Sequence, residues 1–71
     1  MERRTLKILE YVNKNSGCQV QSVTKHLGIS RPLASAMIRS LEELGLIKKE
    51  VGNGRSSSLK ITPKGKDVLG D

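Results

Sequence analysis

One face of the segment from Arg31 to Leu44 carries the side chains best suited to contacts with a polyanion. At helical spacing, this face holds mostly small or hydroxyl-bearing residues, namely Pro32, Ser35, Ala36, Arg39, Ser40 and Glu43. Small side chains let a helix axis come close to base edges, whereas a merely solvated face usually carries long side chains. Guanidinium and hydroxyl groups donate to base edges and phosphate oxygens. The pattern therefore favours docking of this helix on nucleic acid.

The opposite face of the same segment is apolar and predicts how the helix is held. Its members, at offsets of 3, 4, 7 and 10, are Ala34, Met37, Ile38, Leu41 and Leu44. This spacing is typical of an amphipathic helix with a buried seam. Ser30 is suited to cap the helix, Pro32 fits its first turn, and Gly45 predicts its end.

A shorter helix precedes this one and completes a two-helix arrangement. Val20, Val23 and Leu27 lie on one side of a helix over residues 20–27. Gly28 ends it, because glycine adopts left-handed backbone angles without steric cost, and Ile29 is predicted to be a buried turn residue. A short helix, a tight turn and a longer helix can present the second helix to a DNA groove.

The first fifteen residues predict another helix whose apolar arc is unusually wide. Its apolar residues are Leu6, Ile8, Leu9, Tyr11 and Val12. At 100° per residue they span about 220°, more than one core-facing stripe requires. The excess around Ile8 and Tyr11 could contact a second copy, or it could simply be the exposed apolar surface that small domains retain.

A hairpin and a short helix are predicted after the second long helix. Two segments alternate apolar with charged or polar residues on either side of Gly52-Asn53-Gly54, a strong hairpin turn signal. Arg55 and the following three serines are predicted to form a flexible tip. Thr62 and Pro63 are suited to begin the last helix, and its Val68 and Leu69 are expected to fold back onto the core.

The composition of the chain indicates which class of molecule it binds. The 71 residues include 13 Lys and Arg against 7 Asp and Glu, a formal net charge of +6, which suits a polyanion. A membrane partner is disfavoured because no run of about 18 apolar residues and no basic amphipathic helix is present. Glu10 interrupts any signal-peptide core, so we expect a cytoplasmic location.

The sequence gives little indication of catalysis or of metal binding. Cys18 and His26 supply at most two soft ligands, too few for a closed zinc site. Cys18 is better interpreted as a small buried hydrophobe, with an intermolecular disulfide as the alternative, and His26 as a surface residue. We find no nucleophile–base pair, no paired carboxylates and no phosphate-binding loop, so we predict neither an enzyme nor a cofactor.

Three ordered pieces of the chain together resemble a known family. They are VTKHLGISRPLASAMIRSLEELGLIKK, VGNGRSSSLKIT and TPKGKDVL. The series resembles the winged helix-turn-helix family, with MarR-type regulators closest. The resemblance implies a mainly α fold in one domain over residues 1–71, with a three-helix core, a two-stranded wing and a short C-terminal helix. It also implies that residues 31–44 enter the major groove and that the wing, residues 52–57, reaches a neighbouring minor groove.

Carried over by position, the resemblance implies a set of DNA-contacting residues. The groove-facing set is Ser30, Arg31, Pro32, Leu33, Ser35, Ala36, Arg39 and Ser40. On the wing, Arg55 becomes the minor-groove residue, supported by Asn53 and Ser56.

These residues are expected to make two kinds of contact, with phosphates and with base edges. The candidates for phosphate contacts are Lys25, Arg31, Lys60 and Lys64. Arg31 or Arg39 bound to guanine would contribute about 1–3 kcal/mol of discrimination, and Leu33 and Ala36 could touch thymine methyl groups. Arg39 could instead pair with Glu42 or Glu43, two acidic residues that we expect to point away from DNA.

The function predicted is sequence-specific binding of double-stranded DNA by a small transcriptional regulator on the nucleoid, with repression favoured over activation and a homodimer possible. The chain departs from the family pattern at two positions. Gln19 is a poorer helix cap than the residue usual there, and Thr24 replaces a small Ala. Long flanking helices are not seen, so no small-molecule effector is evident. The alternative is a winged-helix module for protein–protein interaction, marked by an exposed apolar face on the first helix. RNA binding is weaker because no aromatic platform is present.

Overall fold

The computed structural model describes residues 2–51 and 57–70, and these form four helices and one antiparallel hairpin. In chain order the elements are α1 (Arg3–Lys14), α2 (Val20–Leu27), α3 (Arg31–Glu43), β1 (Ile47–Val51), β2 (Ser57–Ile61) and α4 (Pro63–Leu69). The predicted mainly α fold with a small hairpin is confirmed.

The turn between α2 and α3 is set by two local interactions. Gly28 adopts the left-handed conformation at φ 65°, and its N–H donates to the Thr24 carbonyl at 2.8 Å. Ser30 Oγ then accepts from the Leu33 N–H at 3.3 Å, which caps α3 as predicted. Gln19, at the start of α2, makes no side-chain cap bond.

The hydrophobic core lies where all these elements meet. Its buried members are Ile8, Leu9, Val12, Val23, Ala34, Ile38, Leu41, Leu46, Ile47 and Leu59. Neither interpretation offered for Ile8, contact with a second copy or exposed apolar surface, is correct, because its side chain is 0% exposed. The wide apolar arc of α1 has a different use, since this helix packs against α2, α3, α4 and β2 at once.

Three apolar residues differ from their predicted burial. Leu44, expected in the α3 seam, is 54% exposed, because α3 ends at Glu43 and the chain turns there. Leu46 and Ile47 supply the core contacts instead. Val68 is also exposed, although Leu69 packs against the core as expected, and Ile29 is only half-buried.

The hairpin pairs five residues on each strand, from Ile47 with Ile61 to Val51 with Ser57. Ser57 and Ser58 therefore belong to β2 rather than to the predicted tip. The predicted turn, Gly52-Asn53-Gly54, lies outside the described residues.

The segment before α2 is tied to the hairpin. Cys18 forms an isolated antiparallel bridge with Leu59. The Gly17 N–H donates to the Leu59 carbonyl and the Leu59 N–H donates to the Cys18 carbonyl, both at 2.8 Å. The predicted extended conformation at Cys18 is confirmed, and burial raises the pKa of its thiol.

Helix α4 is locked onto the turn that follows α3. Thr62 Oγ1 donates to the Gly45 carbonyl at 2.6 Å and accepts from the Gly65 N–H at 3.1 Å, so it caps α4 as predicted. Gly65 is buried, and a Cβ there would collide with the Leu46 carbonyl oxygen. Close approach of α4 to this turn therefore requires glycine.

Candidate nucleic-acid interface

The outer face of α3 is open, as the sequence pattern predicts. The buried side of this helix consists of Ala34, Ile38 and Leu41. Every residue predicted to face a groove is exposed, namely Ser30, Arg31, Pro32, Leu33, Ser35, Ala36, Arg39 and Ser40. The structure therefore brings all eight to one accessible end and face of α3.

Within this face, four residues form a single row opposite the buried seam. We call Pro32, Ala36, Arg39 and Glu43 the outer stripe, since their spacings of four, three and four residues keep them in line on a helix. Glu43, expected to point away from DNA, is exposed and belongs to this stripe. Its carboxylate lies one helical turn beyond Arg39.

Two of the candidate hydroxyl groups are already engaged by the helix itself. Ser30 Oγ accepts the Leu33 N–H, and Ser40 Oγ donates to the Ala36 carbonyl at 3.2 Å. A serine hydroxyl has one hydrogen, so Ser40 retains acceptor capacity only.

A groove of about 250 Å³ runs between the start of α2, the start of α3 and the base of the hairpin. We call it the polar groove, and it is lined by Gln19, Val20, Gln21, Arg31, Ser35, Lys49 and Ser57. The start of α2 forms one wall of this groove, and Gln19 supplies no side-chain cap to the first N–H groups of that helix. With Arg31 and Lys49 beside them, these donors suit an anion.

Sequence reasoning missed two residues of the polar groove, Lys49 and Ser57. The register pairs Lys49 with Leu59 and Val51 with Ser57, so residues 49 and 57 share one face of the hairpin. The alternation of Ile47 and Val51 places residue 49 on their side of β1, but only the hairpin register places Ser57 on the same face.

The other predicted cations are spread over the domain. Lys25 is exposed on α2, and the Lys64 side chain lies beside Gly45. Lys60 Nζ is 3.0 Å from Glu50 Oε1, the single ion pair in residues 2–51 and 57–70. Arg39 therefore forms no ion pair with either neighbouring glutamate in that part of the chain.

Three predicted wing contacts, Asn53, Arg55 and Ser56, lie outside the described residues. The structure describes the base of the wing, and the assignment of its tip stays a prediction.

A second and larger groove, of about 480 Å³, lies along α1 and the α2–α3 turn. Its lining residues are Arg4, Lys7, Glu10, Tyr11, Lys14, Asn15, His26, Leu27 and Ile29. The Tyr11 and His26 rings stack within it at 4.4 Å between centroids. Tyr11 therefore contacts α2 of its own chain, and His26 is exposed as expected.

The described residues provide neither a metal-binding cluster nor a membrane-spanning helix. Among the described residues, no three His, Cys, Asp or Glu side chains are grouped to hold a metal ion. No helix in the same ranges has the length and apolarity needed to cross a bilayer.

Fold and interface together define a winged helix-turn-helix domain, and comparison with known families agrees. The winged helix-turn-helix DNA-binding family matches residues 1–48, and the chain belongs to this family. The expectation of a non-enzyme agrees with this membership.

Among curated proteins, the chain is similar to the HTH-type transcriptional regulator BilQ of Clostridioides difficile (strain CD3). The two are 34% identical over 65 residues, which cover 89% of this chain and 44% of that protein. The chain thus spans less than half the length of this relative.

Solved structures show the same fold. A Staphylococcus aureus MepR mutant bound to an oligodeoxyribonucleotide aligns with a TM-score of 0.94 at 22% identity, over 99% of this chain and 54% of that one. Streptococcus pneumoniae FabT in complex with DNA aligns with a TM-score of 0.90 at 17% identity, over 96% and 49%. At these identities the likeness establishes the fold alone.

Proposed function

We propose that this domain binds double-stranded DNA sequence-specifically as part of a transcriptional regulator, with α3 in the major groove and the hairpin near an adjacent minor groove. The observation that carries the proposal is the continuity of two surfaces. Arg31 and Ser35 belong both to the exposed face of α3 and to the lining of the polar groove. A duplex seated on α3 therefore brings its backbone to the polar groove.

The polar groove is suited to a phosphate of that backbone. The start of α2 contributes N–H donors and the positive end of its dipole, and Arg31 and Lys49 add two formal charges. Such contacts position the protein without reading sequence, and each releases condensed counterions. The net charge of +6 favours the same encounter.

We further infer that the regulator acts as a homodimeric repressor in the cytoplasm, in contact with the nucleoid. Winged-helix proteins commonly pair on two half-sites, and repression requires only that a bound protein occupy its site. The pairing surface is not centred on Ile8, which is buried. Light scattering tests dimerisation, and in vitro transcription from a promoter that carries the selected site tests repression.

The alternative function, protein–protein interaction, was predicted to show an exposed apolar face on α1. The large apolar side chains that are exposed in the described ranges are Leu33, Leu44, Val51 and Val68. None of these lies on α1, the helix on which an exposed apolar docking face was anticipated.

The direct test measures binding to a random-sequence duplex by fluorescence anisotropy at several salt concentrations. Arg31→Ala and Lys49→Ala should weaken binding. Each should also make the negative slope of log K against log salt shallower by about 0.9. Lys66→Ala removes the same charge from an exposed position on α4 and serves as the control. A flat salt response, or an equal loss in all three variants, contradicts the proposal.

A further inference from the structure

The polar side chains on the exposed face of α3 are not equally free to read bases. Ser40 has given its hydrogen to the Ala36 carbonyl, and Ser30 is held at the helix start by the Leu33 N–H. Arg31 and Ser35 line the polar groove, which the proposed function assigns to a phosphate. Ser30 and Ser40 are therefore each held by one hydrogen bond within the helix and keep only part of their hydrogen-bonding capacity. Arg31 and Ser35 are assigned to the phosphate contact.

The outer stripe retains two charged side chains. Arg39 and Glu43 are both exposed, and neither takes part in the one ion pair of residues 2–51 and 57–70. Their order also disfavours mutual pairing, because an acidic residue four positions before a basic one is the better arrangement on a helix. Arg39 thus has a full set of donors, and Glu43 has a full set of acceptors.

The chemistry of these two groups matches the two bases of a G·C pair. A guanidinium donates two parallel hydrogen bonds to guanine O6 and N7, and a carboxylate accepts from the cytosine N4 amino group. The same carboxylate is repelled by guanine, whose major-groove edge carries acceptors only. Glu43 therefore rejects one base as it accepts another.

Helix geometry sets the separation of the two contacts. Four residues rise about 6 Å along α3, so with the helix axis running along the stacked bases the two side chains reach positions about two steps of 3.4 Å apart. Ala36, about 4.5 Å before Arg39, brings only a methyl group to the other side, where a thymine methyl can pack.

We propose that Arg39 and Glu43 are the base-reading pair of this protein, with Arg39 specifying a guanine and Glu43 a cytosine about two base pairs away. This inference rests on the proposed function, because it requires α3 to lie in the major groove. Arg31 and the serines then contribute affinity and helix stability, without sequence preference.

The test is selection from a random duplex library, followed by affinity measurements on the selected site and on single-base variants. Arg39→Ala should erase a preference of about 5- to 150-fold for guanine at one position. Glu43→Gln should shift the second position from cytosine toward adenine, because an amide pairs with adenine N6 and N7. Glu10→Gln, the same charge change at an exposed position on α1 outside the proposed interface, is the matched control and should leave the selected site unchanged.

Two results would overturn the inference while leaving DNA binding intact. In one, Arg39→Ala weakens all sequences equally, as loss of a phosphate contact would. In the other, Glu43→Gln strengthens all sequences equally, as relief of simple repulsion would. A parent protein that shows no salt-dependent binding to any duplex would instead remove the proposed function and the inference with it. Circular dichroism of each variant confirms that the fold is retained.

Discussion

Lys60 Nζ lies 3.0 Å from Glu50 Oε1, across the hairpin and on the diagonal of its register. Lys48 is paired directly opposite Lys60, so Glu50 lies on the same face of the hairpin as two positive charges. The hydrogen bond and the positive charge of Lys60, with a smaller contribution from Lys48, hold the pKa of Glu50 below its ordinary value. The wing thus carries an acid that offsets part of its own positive charge.

Glu50→Gln is expected to strengthen binding to duplex DNA. The change removes a negative charge and releases Lys60 for a phosphate, so affinity should rise several-fold and the salt slope should steepen by about 0.9. Glu10→Gln makes the same charge change on exposed α1, away from the proposed interface. Equal effects of the two changes, measured by anisotropy across salt concentrations, would show that only net charge matters.

The lowered pKa of Glu50 also predicts a dependence of stability on pH. Its ion pair stabilises the fold above the unfolded-state pKa, near 4.5, and the contribution is lost as pH falls through the lower folded-state value. An NMR titration should place the Glu50 midpoint below 4.5, and Lys60→Ala should raise it toward that value. A midpoint unchanged by Lys60→Ala would mean that the pair does not form in solution.

Gly65→Ala is expected to destabilise the domain by about 1–3 kcal/mol, because the added methyl group meets the Leu46 carbonyl oxygen. Urea unfolding followed by circular dichroism measures the change. Lys66→Ala, at the next and exposed position of α4, controls for an alanine introduced into this helix without a clash. Helix propensity alone would make Gly65→Ala more stable by about 1 kcal/mol, so a net loss reports the collision. If Gly65→Ala were as stable as this control, the packing of α4 on the turn would be wrong.

Two substitutions of Ser30 separate its role as a cap from its place at the interface. Ser30→Ala loses the bond to the Leu33 N–H and should cost about 0.5–2 kcal/mol of stability. Ser30→Asp keeps a good cap and should preserve stability, while its charge next to phosphate should weaken DNA binding at least tenfold. Unfolding curves and anisotropy on the same samples compare the two effects. DNA affinity unchanged in Ser30→Asp would place this end of α3 away from the duplex.

Local patterns were enough to predict most of the elements. The cap at Ser30, the left-handed Gly28 and the start of α4 at Thr62 each depend on one residue's own chemistry. Errors arose where burial depends on partners distant in sequence. Ile8 is covered because α1 packs on four elements, and Leu44 is uncovered because the chain turns one residue earlier than the apolar spacing suggests.

The same distinction between local patterns and contacts distant in sequence applies to the candidate site. The exposed face of α3 follows from a single helical period and was predicted in full. The polar groove joins the start of α2 to Lys49 and Ser57, and this combination depends on hairpin register and on the bridge at Cys18. No pattern within one segment contains that juxtaposition.

The backbone bonds that join Gly17 and Cys18 to Leu59 give β2 a second neighbour at that one point, opposite β1. The wing base cannot swing outward without breaking these bonds and dragging the beginning of α2 along. The start of α2 and the hairpin strands, which form two walls of the polar groove, are therefore tied together by backbone hydrogen bonds. Under the proposed function, a duplex phosphate meets a groove whose shape is already set, and its binding costs little free energy of ordering.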